Sequence, residues 1–467
     1  MDRFTYEGAK TGRRTDGWST SNTSANAEIG PSLAKLRERS RSLFRDSPVK
    51  KMLQVMVANI VGTGILPQAR TGSKELNKQI NDLFNRWQAE ADADDQLDFY
   101  GLQSLIVRTV IEAGECLVRF RPRRRQDGME TLPLQLQVLE PDYLDLAKSQ
   151  PTDTGYILQG VEFDKLGTRI AYWLFSQHPG ESLPSFRSAS FQSKRVPASE
   201  VLHCYRKERP GQVRGVPWLA PVLLTIRDRD DWNEAKIVLK KIQACLSTFV
   251  TQPEGTDGTL MAPAATDASG NRVESLEPGM IHYLKPGEEV AFGQPPSGDA
   301  DTEYRKAIDR DIAAGFGCTY QQLSGDLSDA NYSNYRAGHI DFGATVEEFR
   351  YLNFEPMINR PVWRRFIDTA FLSNQLPVAN YEVRWMPPKR ISIDPAKDSK
   401  ATEQRINTGA ETLYQAIESE GYDPEKQLEE IAEIQQKIKA LGIMLPGIYQ
   451  PPKAAGDNNA QNKEAAA

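Results

Sequence analysis

The side chains with the most chemistry on offer are carboxylates. Asp228, Asp230 and Asp231 fall in one run, and Asp309 and Asp311 follow later in the chain. Metal-dependent nucleases gather two or three such groups around their ions. Successive helical positions diverge by about 100°, so this run does not converge on an ion unaided. Arg227 and Arg229 interleave it and read equally well as ion-pair partners on a solvated face. Gly62-Thr63-Gly64 suggests a phosphate loop, but it lacks the following Lys-Ser/Thr and succeeds a helix instead of a strand. The four histidines (His178, His203, His282, His339) include no HxH, HExxH or HxxxH pair, and the four cysteines (Cys116, Cys204, Cys245, Cys318) no CxxC. No metal site and no cofactor is expected. The thiols read as reduced and mostly buried.

Three other groups could touch a polyanion. Arg119, Arg121, Arg123, Arg124 and Arg125 form the densest basic cluster, either a solvated hairpin tip or a contact for DNA or an acidic partner. Arg229, Lys236, Lys240 and Lys241 share the polar side of a long helix, which is a channel lining, a subunit contact or plain solvent exposure. Tyr320, Gln321, Gln322, Ser324, Asn331 and Tyr332 supply hydroxyl and amide groups without a lysine. Neutral groups of this kind position DNA through phosphate and sugar without reading its sequence. A structural turn would use the same residues.

The elements that must position these groups come from a chain of 467 residues, 39% hydrophobic and 26% charged, with net charge −6 and mean hydropathy −0.54. That length holds more than one core. No apolar run approaches the roughly 20 residues of a membrane helix, and Met1–Thr5 lacks a signal-peptide stretch, so assembly in cytoplasm is expected. A net negative balance argues against tight, general DNA binding but not against a surface past which DNA slides.

Residues 1 to about 29 are polar and read as a disordered arm. Helical spacing begins at Ser32, with Leu33, Leu36, Leu43 and Phe44. A fresh start follows at Asp46-Ser47-Pro48, then Leu53, Met56, Val57, Ile60 and Val61 run to Gly62. Two further amphipathic helices carry Leu76, Ile80, Leu83 and Trp87, then Leu102, Leu105, Ile106 and Ile111, closing at Gly114. Strands are expected at Cys116–Arg121, Leu134–Leu139 and Val201–Tyr205, with a hairpin of Tyr156–Phe163 and Arg169–Phe175 around Lys165-Leu166-Gly167. A long helix runs from Leu219 to Phe249. Beyond it come a Gly-, Pro- and Ala-rich excursion with a hairpin of Met280–Leu284 and Glu289–Phe292, and a helix Thr302–Ala314 stopped by Gly315. After the polar loop Gly317–Asn334, helical patterns hold Val346, Phe349 and Leu352, then Val362, Trp363, Phe366 and Ile367. The stretch Trp385–Pro395 is extended, and 397–442 is helical with a break at Gly421-Tyr422-Asp423-Pro424. The tail beyond Pro446 is low in complexity.

Certain landmarks, in this order, resemble the lambda family of phage portal proteins: Asn59-Ile60-Val61-Gly62, Glu112-Ala113-Gly114-Glu115, Leu139-Glu140-Pro141-Asp142, Gly215-Val216-Pro217-Trp218, Leu284-Lys285-Pro286-Gly287, Leu323-Ser324-Gly325-Asp326, Asn331-Tyr332-Ser333 and Ile393-Asp394-Pro395. The resemblance spans about Arg37 to Leu445. It implies a helix-rich α+β subunit of a twelve-fold ring with wing, stem, clip and crown regions. These map as an N-terminal arm 1–30, wing 31–215, stem helix 216–250, clip 251–300, second stem helix 301–316 and tunnel loop 317–335. A wing/long helix 336–399, crown 400–446 and tail 447–467 complete it. The implied role is a passive, non-enzymatic channel for DNA packaging and ejection at one capsid vertex. Its implied partners are the terminase large subunit, head–tail connector proteins, the major capsid and scaffold proteins, and double-stranded DNA without sequence specificity; no membrane is involved. In a ring, the acidic run at Asp228 could also meet a basic face of a neighbouring subunit. Two rivals remain: a head–tail adaptor without a DNA channel, and a metal-dependent nuclease built on Asp228–Asp231.

Overall fold

A computed structural model describes residues 6–181, 192–245, 248–250, 281–283, 299–389 and 394–442. The stretch 251–279, the Glu289–Phe292 half of the expected hairpin and the tail beyond Pro446 lie outside them. Helix α1, Ala25–Asp46, starts well before Ser32 because Ser24 caps it by accepting from the Ala27 N–H. Pro31 lies inside it, one residue before the expected start. Its buried stripe, Leu33, Arg37, Ser40 and Phe44, keeps helical spacing but includes two polar residues. Helix α2, Lys50–Ile60, buries Met52, Leu53, Met56, Val57 and Ile60 and ends at Gly62, whose φ is 55°. Strand β1 (Leu66–Ala69), α3 (Lys74–Trp87) and α4 (Phe99–Ala113) follow, and Gly114 with φ 90° stops α4.

Strands β2 (Glu115–Pro122) and β3 (Leu134–Leu139) begin the sheet region. The expected strand Tyr156–Phe163 is instead two. Gln159 (φ 50°) and Gly160 (φ 85°) are both left-handed, the signature of a two-residue hairpin turn. The result is an antiparallel sheet in sequence order: β4 (Gln150–Thr152), β5 (Gly155–Leu158), β6 (Val161–Asp164), β7 (Arg169–Leu174) and β8 (Lys194–Pro197). Strand β9 (Val201–Tyr205) then pairs with β2, Cys116 opposite Cys204, in the order β3-β2-β9.

Helix α5 is Leu223–Cys245, about 34 Å at 1.5 Å per residue. It is shorter than expected: a 3-10 turn, Ala220–Val222, precedes it, and Thr248–Val250 is β10, paired in parallel with β11, Ile281–Tyr283. Helix α6, Asp299–Phe316, passes through Gly315 and stops only at Gly317 (φ 90°). A Cβ on Gly315 would lie 2.4 Å from Val222 Cγ1, so that glycine serves close packing and not termination. Then come α7 (Tyr320–Ser324), α8 (Tyr332–Phe349), a π-helix Arg350–Asn359 containing Pro356, and α9 (Arg360–Leu372). Strand β12, Val383–Met386, is antiparallel to β1, and α10 (Pro395–Asn407), α11 (Leu413–Ser419) and α12 (Pro424–Leu441) close the described chain.

Two compact units result, each discontinuous in sequence. One comprises Met1–Ile60, Ile106–Arg119 and Val138–Asn359; the other comprises Val61–Leu105, Phe120–Gln137 and Arg360–Ala467. The first has two apolar centres. Leu117, Val161, Phe163, Tyr172, Leu174 and Val201 fill the space among the strands, while Phe316 and Phe349 pack on Trp218 among the helices. The second unit centres on rings: Phe84 touches Trp87, Phe99, Trp363 and Phe366 at centroid separations of 5.1–5.5 Å. Full burial of each such ring stabilises by roughly 1.5–3 kcal/mol.

Candidate nucleic-acid interface

The segment 317–335 is more ordered by local bonding than a loop. Thr319 Oγ1 accepts from the Gln322 N–H at 3.3 Å, and Gln322 Oε1 accepts from the Thr319 N–H at 2.9 Å. This reciprocal cap starts α7. Gly325, at φ 75°, ends it by donating its N–H to the Gln321 carbonyl at 2.8 Å. Asn331 caps α8 by accepting from the Asn334 N–H at 2.8 Å. Gln322 and Asn331 are therefore helix caps, and α8 begins earlier than the expected loop allows. Ser324 bonds to the Tyr320 carbonyl and takes the Asp326 N–H, while the Tyr320 hydroxyl donates to Asp326 at 3.2 Å. Bonds from Ser328 hold the Asp326 carboxyl below its ordinary value. Gln321 is half-buried, and Tyr332 is exposed, accepting from Arg336 at 2.8 Å. The pattern Thr-x-x-Gln is readable in sequence as a helix start.

The segment has no lysine, yet cations reach it from elsewhere. Lys306 of α6 bonds to Asp329 at 2.7 Å, which raises its own pKa, and the Arg310 guanidinium sits 5.5 Å from the Tyr320 ring centre. The Lys51 ammonium lies so near Gly325 that a Cβ there would come within 2.6 Å of it.

On α5 two of the expected cations lie against α6. Arg229 is buried and donates to Asp309 of α6 at 2.5 Å and to Asp230 at 3.2 Å. Lys236, on the same helical face, donates to Asp301 at 2.6 Å. That face meets α6 of the same subunit. Lys240 and Lys241 are exposed. Asp231 pairs with Arg227 at 2.8 Å, so the acidic run is dispersed among arginines. Among the described residues, the group near enough to share an ion is Glu140, Asp142 and His178. Arg41 already bonds to both of its carboxylates, at 2.9 and 2.5 Å. In the basic cluster, Arg119 approaches Glu200 at 3.9 Å, Arg123 donates to Gln135 at 2.7 Å, Arg121 is half-buried and Arg124 exposed. The Arg125 side chain is outside the described residues.

Spacing gave no hint of a charged centre inside the first unit. The Glu115 carboxylate, fully buried, accepts from Arg37, from Arg214 Nε at 2.7 Å, from the Gly215 N–H at 2.7 Å and from His203 Nε2 at 2.8 Å. Burial works against its charge, but Arg214 and Arg37 prevail and hold it well below the usual carboxylate range. Arg169 meets His203 Nδ1 at 3.1 Å. A guanidinium only donates, so Nδ1 is the acceptor, Nε2 carries the proton, and the ring is neutral. Burial lowers its pKa to about 4. Backbones close in beside this centre. A Cβ on Gly215 would lie 2.1 Å from the Gly114 carbonyl oxygen, and one on Gly114 2.4 Å from the Val216 carbonyl carbon. The two landmarks Glu112–Glu115 and Gly215–Trp218 are thus one packed joint.

The model of the phage portal protein, lambda family, matches residues 11–350. The chain belongs to that family. A probable portal protein of Halomonas phage phiHAP-1 is 25% identical to this portal chain over 95% of it and 88% of the relative. The portal protein of Escherichia phage N15 is 20% identical over 97% and 93%. Among solved structures, a chain of the virion of a native gene transfer agent particle aligns with TM-score 0.43 and 14% identity, covering 88% of the portal chain and 94% of that chain. A chain from the neck of such a particle, computed with C12 symmetry, gives 0.42 and 15% over 80% and 90%.

Proposed function

We propose that the portal chain forms a closed, twelve-fold ring at one capsid vertex through which duplex DNA is packaged and ejected. The ring docks the ATP-driven terminase during filling and the head–tail connector afterwards, in the virion, after assembly in the host cytoplasm. The observation that carries this reading is the family match over residues 11–350. The capped segment 317–335 fits a collar: short, braced by α6 and α2, and carrying hydroxyl and amide groups, with Lys306 set against Asp329. Weak neutral contacts suit passage, because each charged phosphate contact deepens the well that DNA must leave. Helices α5 and α6, tied by Arg229–Asp309 and Lys236–Asp301, act as stem struts, with 251–300 as the clip, 400–446 as the crown and Lys240 and Lys241 toward the channel. The role is structural and not catalytic.

The test is alanine at Tyr320, Gln321 or Tyr332, read as the yield of DNA-filled particles beside negative-stain images of purified rings. The expectation is fewer filled particles with rings intact. Normal filling by all three variants would remove the segment from the collar, and failure of the wild-type protein to form hollow oligomers under any condition would overturn the portal ring itself.

A further inference from the structure

We infer that α12 is a contact between subunits: the edge of the helix that carries Ile434 and Leu441 docks on the opposite edge of α12 in the next copy of the chain. The inference rests on the closed ring proposed above and adds a place where neighbouring copies meet. Helix α12 has defined ends. Asp423 starts it by accepting from the Glu425 N–H at 3.1 Å, Pro424 stands in its first turn, and Gly442, at φ 65°, stops it. Ile431, Ile434, Ile438 and Leu441 are spaced three, four and three apart, the seam of a helix that packs lengthwise on other helices. Yet of its 18 residues Pro424 alone is buried among the described residues. Ile431 and Ile438 are half-buried, whereas Ile434 is 42% and Leu441 72% exposed. A helix draws most of its stability from covering such a face, and the single subunit leaves part of this one open.

The chemistry of the two edges favours a second copy as the cover. A head-to-tail ring needs two different surfaces on every copy, one fitting the other. At about 100° per residue, Glu430, Ile434 and Leu441 fall within about 40° of one another, while Ala432, Gln436 and Lys439 lie on the far side of the helix. All six are exposed. The first edge offers two large apolar groups beside a carboxylate. The second offers a methyl group short enough to leave room for them, a neutral amide and an ammonium. The signs match across copies, Glu430 of one facing Lys439 of the next, whereas the neighbouring Glu433 already pairs with Lys437 of its own helix at 4.0 Å. Isoleucine at both kinds of seam position also favours assemblies of more than two helices over a simple pair.

The decisive experiment places a benzoylphenylalanine photocrosslinker at residue 434 of the full-length chain in purified rings. The expected result is a ladder of linked chains on a denaturing gel, with the linked peptide mapping to α12 of another copy. Adducts confined to one chain, on residues 443–467 for instance, would mean that the subunit covers its own helix and would overturn the contact. The absence of any adduct would overturn it too. Negative-stain images of the same sample keep the two readings apart: hollow oligomers without linked chains would sink this contact alone, and a sample without hollow oligomers would take the ring with it. A second measurement reads the strength of the ring. Ile434 is exposed in the single subunit, so Ile434→Asp should leave its circular dichroism unchanged while raising the dissociated fraction in mild urea several-fold. Glu430→Lys should act in the same direction, and adding Lys439→Glu should restore most of the loss. Equal dissociation of wild type and Ile434→Asp would overturn the contact, and a double variant as weak as Glu430→Lys would remove the charge pair from it.

Discussion

Glu115 carries the clearest consequence of a single side chain. Two guanidiniums and a neutral imidazole converge on its carboxylate, while the carbonyls of Ala113, Gln159 and Pro141 take other donors of Arg37 and Arg214. Removing one member of a buried, hydrogen-bonded charge group costs about 3–5 kcal/mol, because the others remain buried and unpaired. Glu115→Gln should lower the unfolding free energy read from urea titration by that amount. The centre also sets an acid limit. His203 is held near 4 by burial, so between the ordinary histidine value and about 4 the unfolded chain binds a proton that the folded chain does not. Stability is full above that window and falls as pH drops through it, by up to about 1.4 kcal/mol per pH unit. Glu115, with its depressed pKa, loses its own contribution in the same direction at lower pH. His203→Gln keeps a donor for Glu115 and an acceptor for Arg169, so it should flatten the slope between pH 6.5 and 4. An unchanged urea-midpoint slope would exclude His203 as its source. None of this was legible in the sequence. The landmark Glu112–Glu115 stands out, but its partners lie 78 to 99 residues away, and local spacing encodes no such pairing.

Among the helices and strands, the sequence was most readable where period and punctuation agree. The stripe of α2 and its stop at Gly62 follow from apolar spacing and one left-handed glycine. It failed where a residue had two possible uses. Gly315 reads as a stop but permits approach to Val222, Gln159 reads as strand but turns the chain, and Thr319 and Asn331 read as loop but cap helices. The polar face of α5 belongs with these. A charged stripe normally means solvent, yet Arg229 and Lys236 tie α5 to α6. The expected signature is non-additive. Asp309→Ala alone leaves a buried guanidinium and should cost about 3–5 kcal/mol, while Arg229→Met with Asp309→Ala, which removes both charges, should cost markedly less. Thermal unfolding of both single variants and the double makes the comparison. A double variant as unstable as the sum of its singles would mean that the pair acts through packing and not through charge.

In the proposed ring, the balance of charge decides how DNA is held. The chain carries 57 basic and 63 acidic residues, and of the cations that reach segment 317–335, Lys306 is paired with Asp329. A protein that clamps DNA by neutralising six to ten phosphates loses roughly 10³–10⁵ in affinity between 50 and 200 mM salt. A duplex passing through the proposed collar would meet few phosphates at any level, and most side chains of segment 317–335 are neutral. Fluorescence anisotropy of purified rings with a short duplex should therefore give weak binding that falls by less than about a hundredfold over that salt range. Tyr332→Phe should leave this salt dependence unchanged, because a lost hydroxyl releases no counterion. A steep, clamp-like dependence would contradict passage. DNA gripped by many charged contacts must break them together at each step, and the passive ring proposed above would have nothing with which to do so.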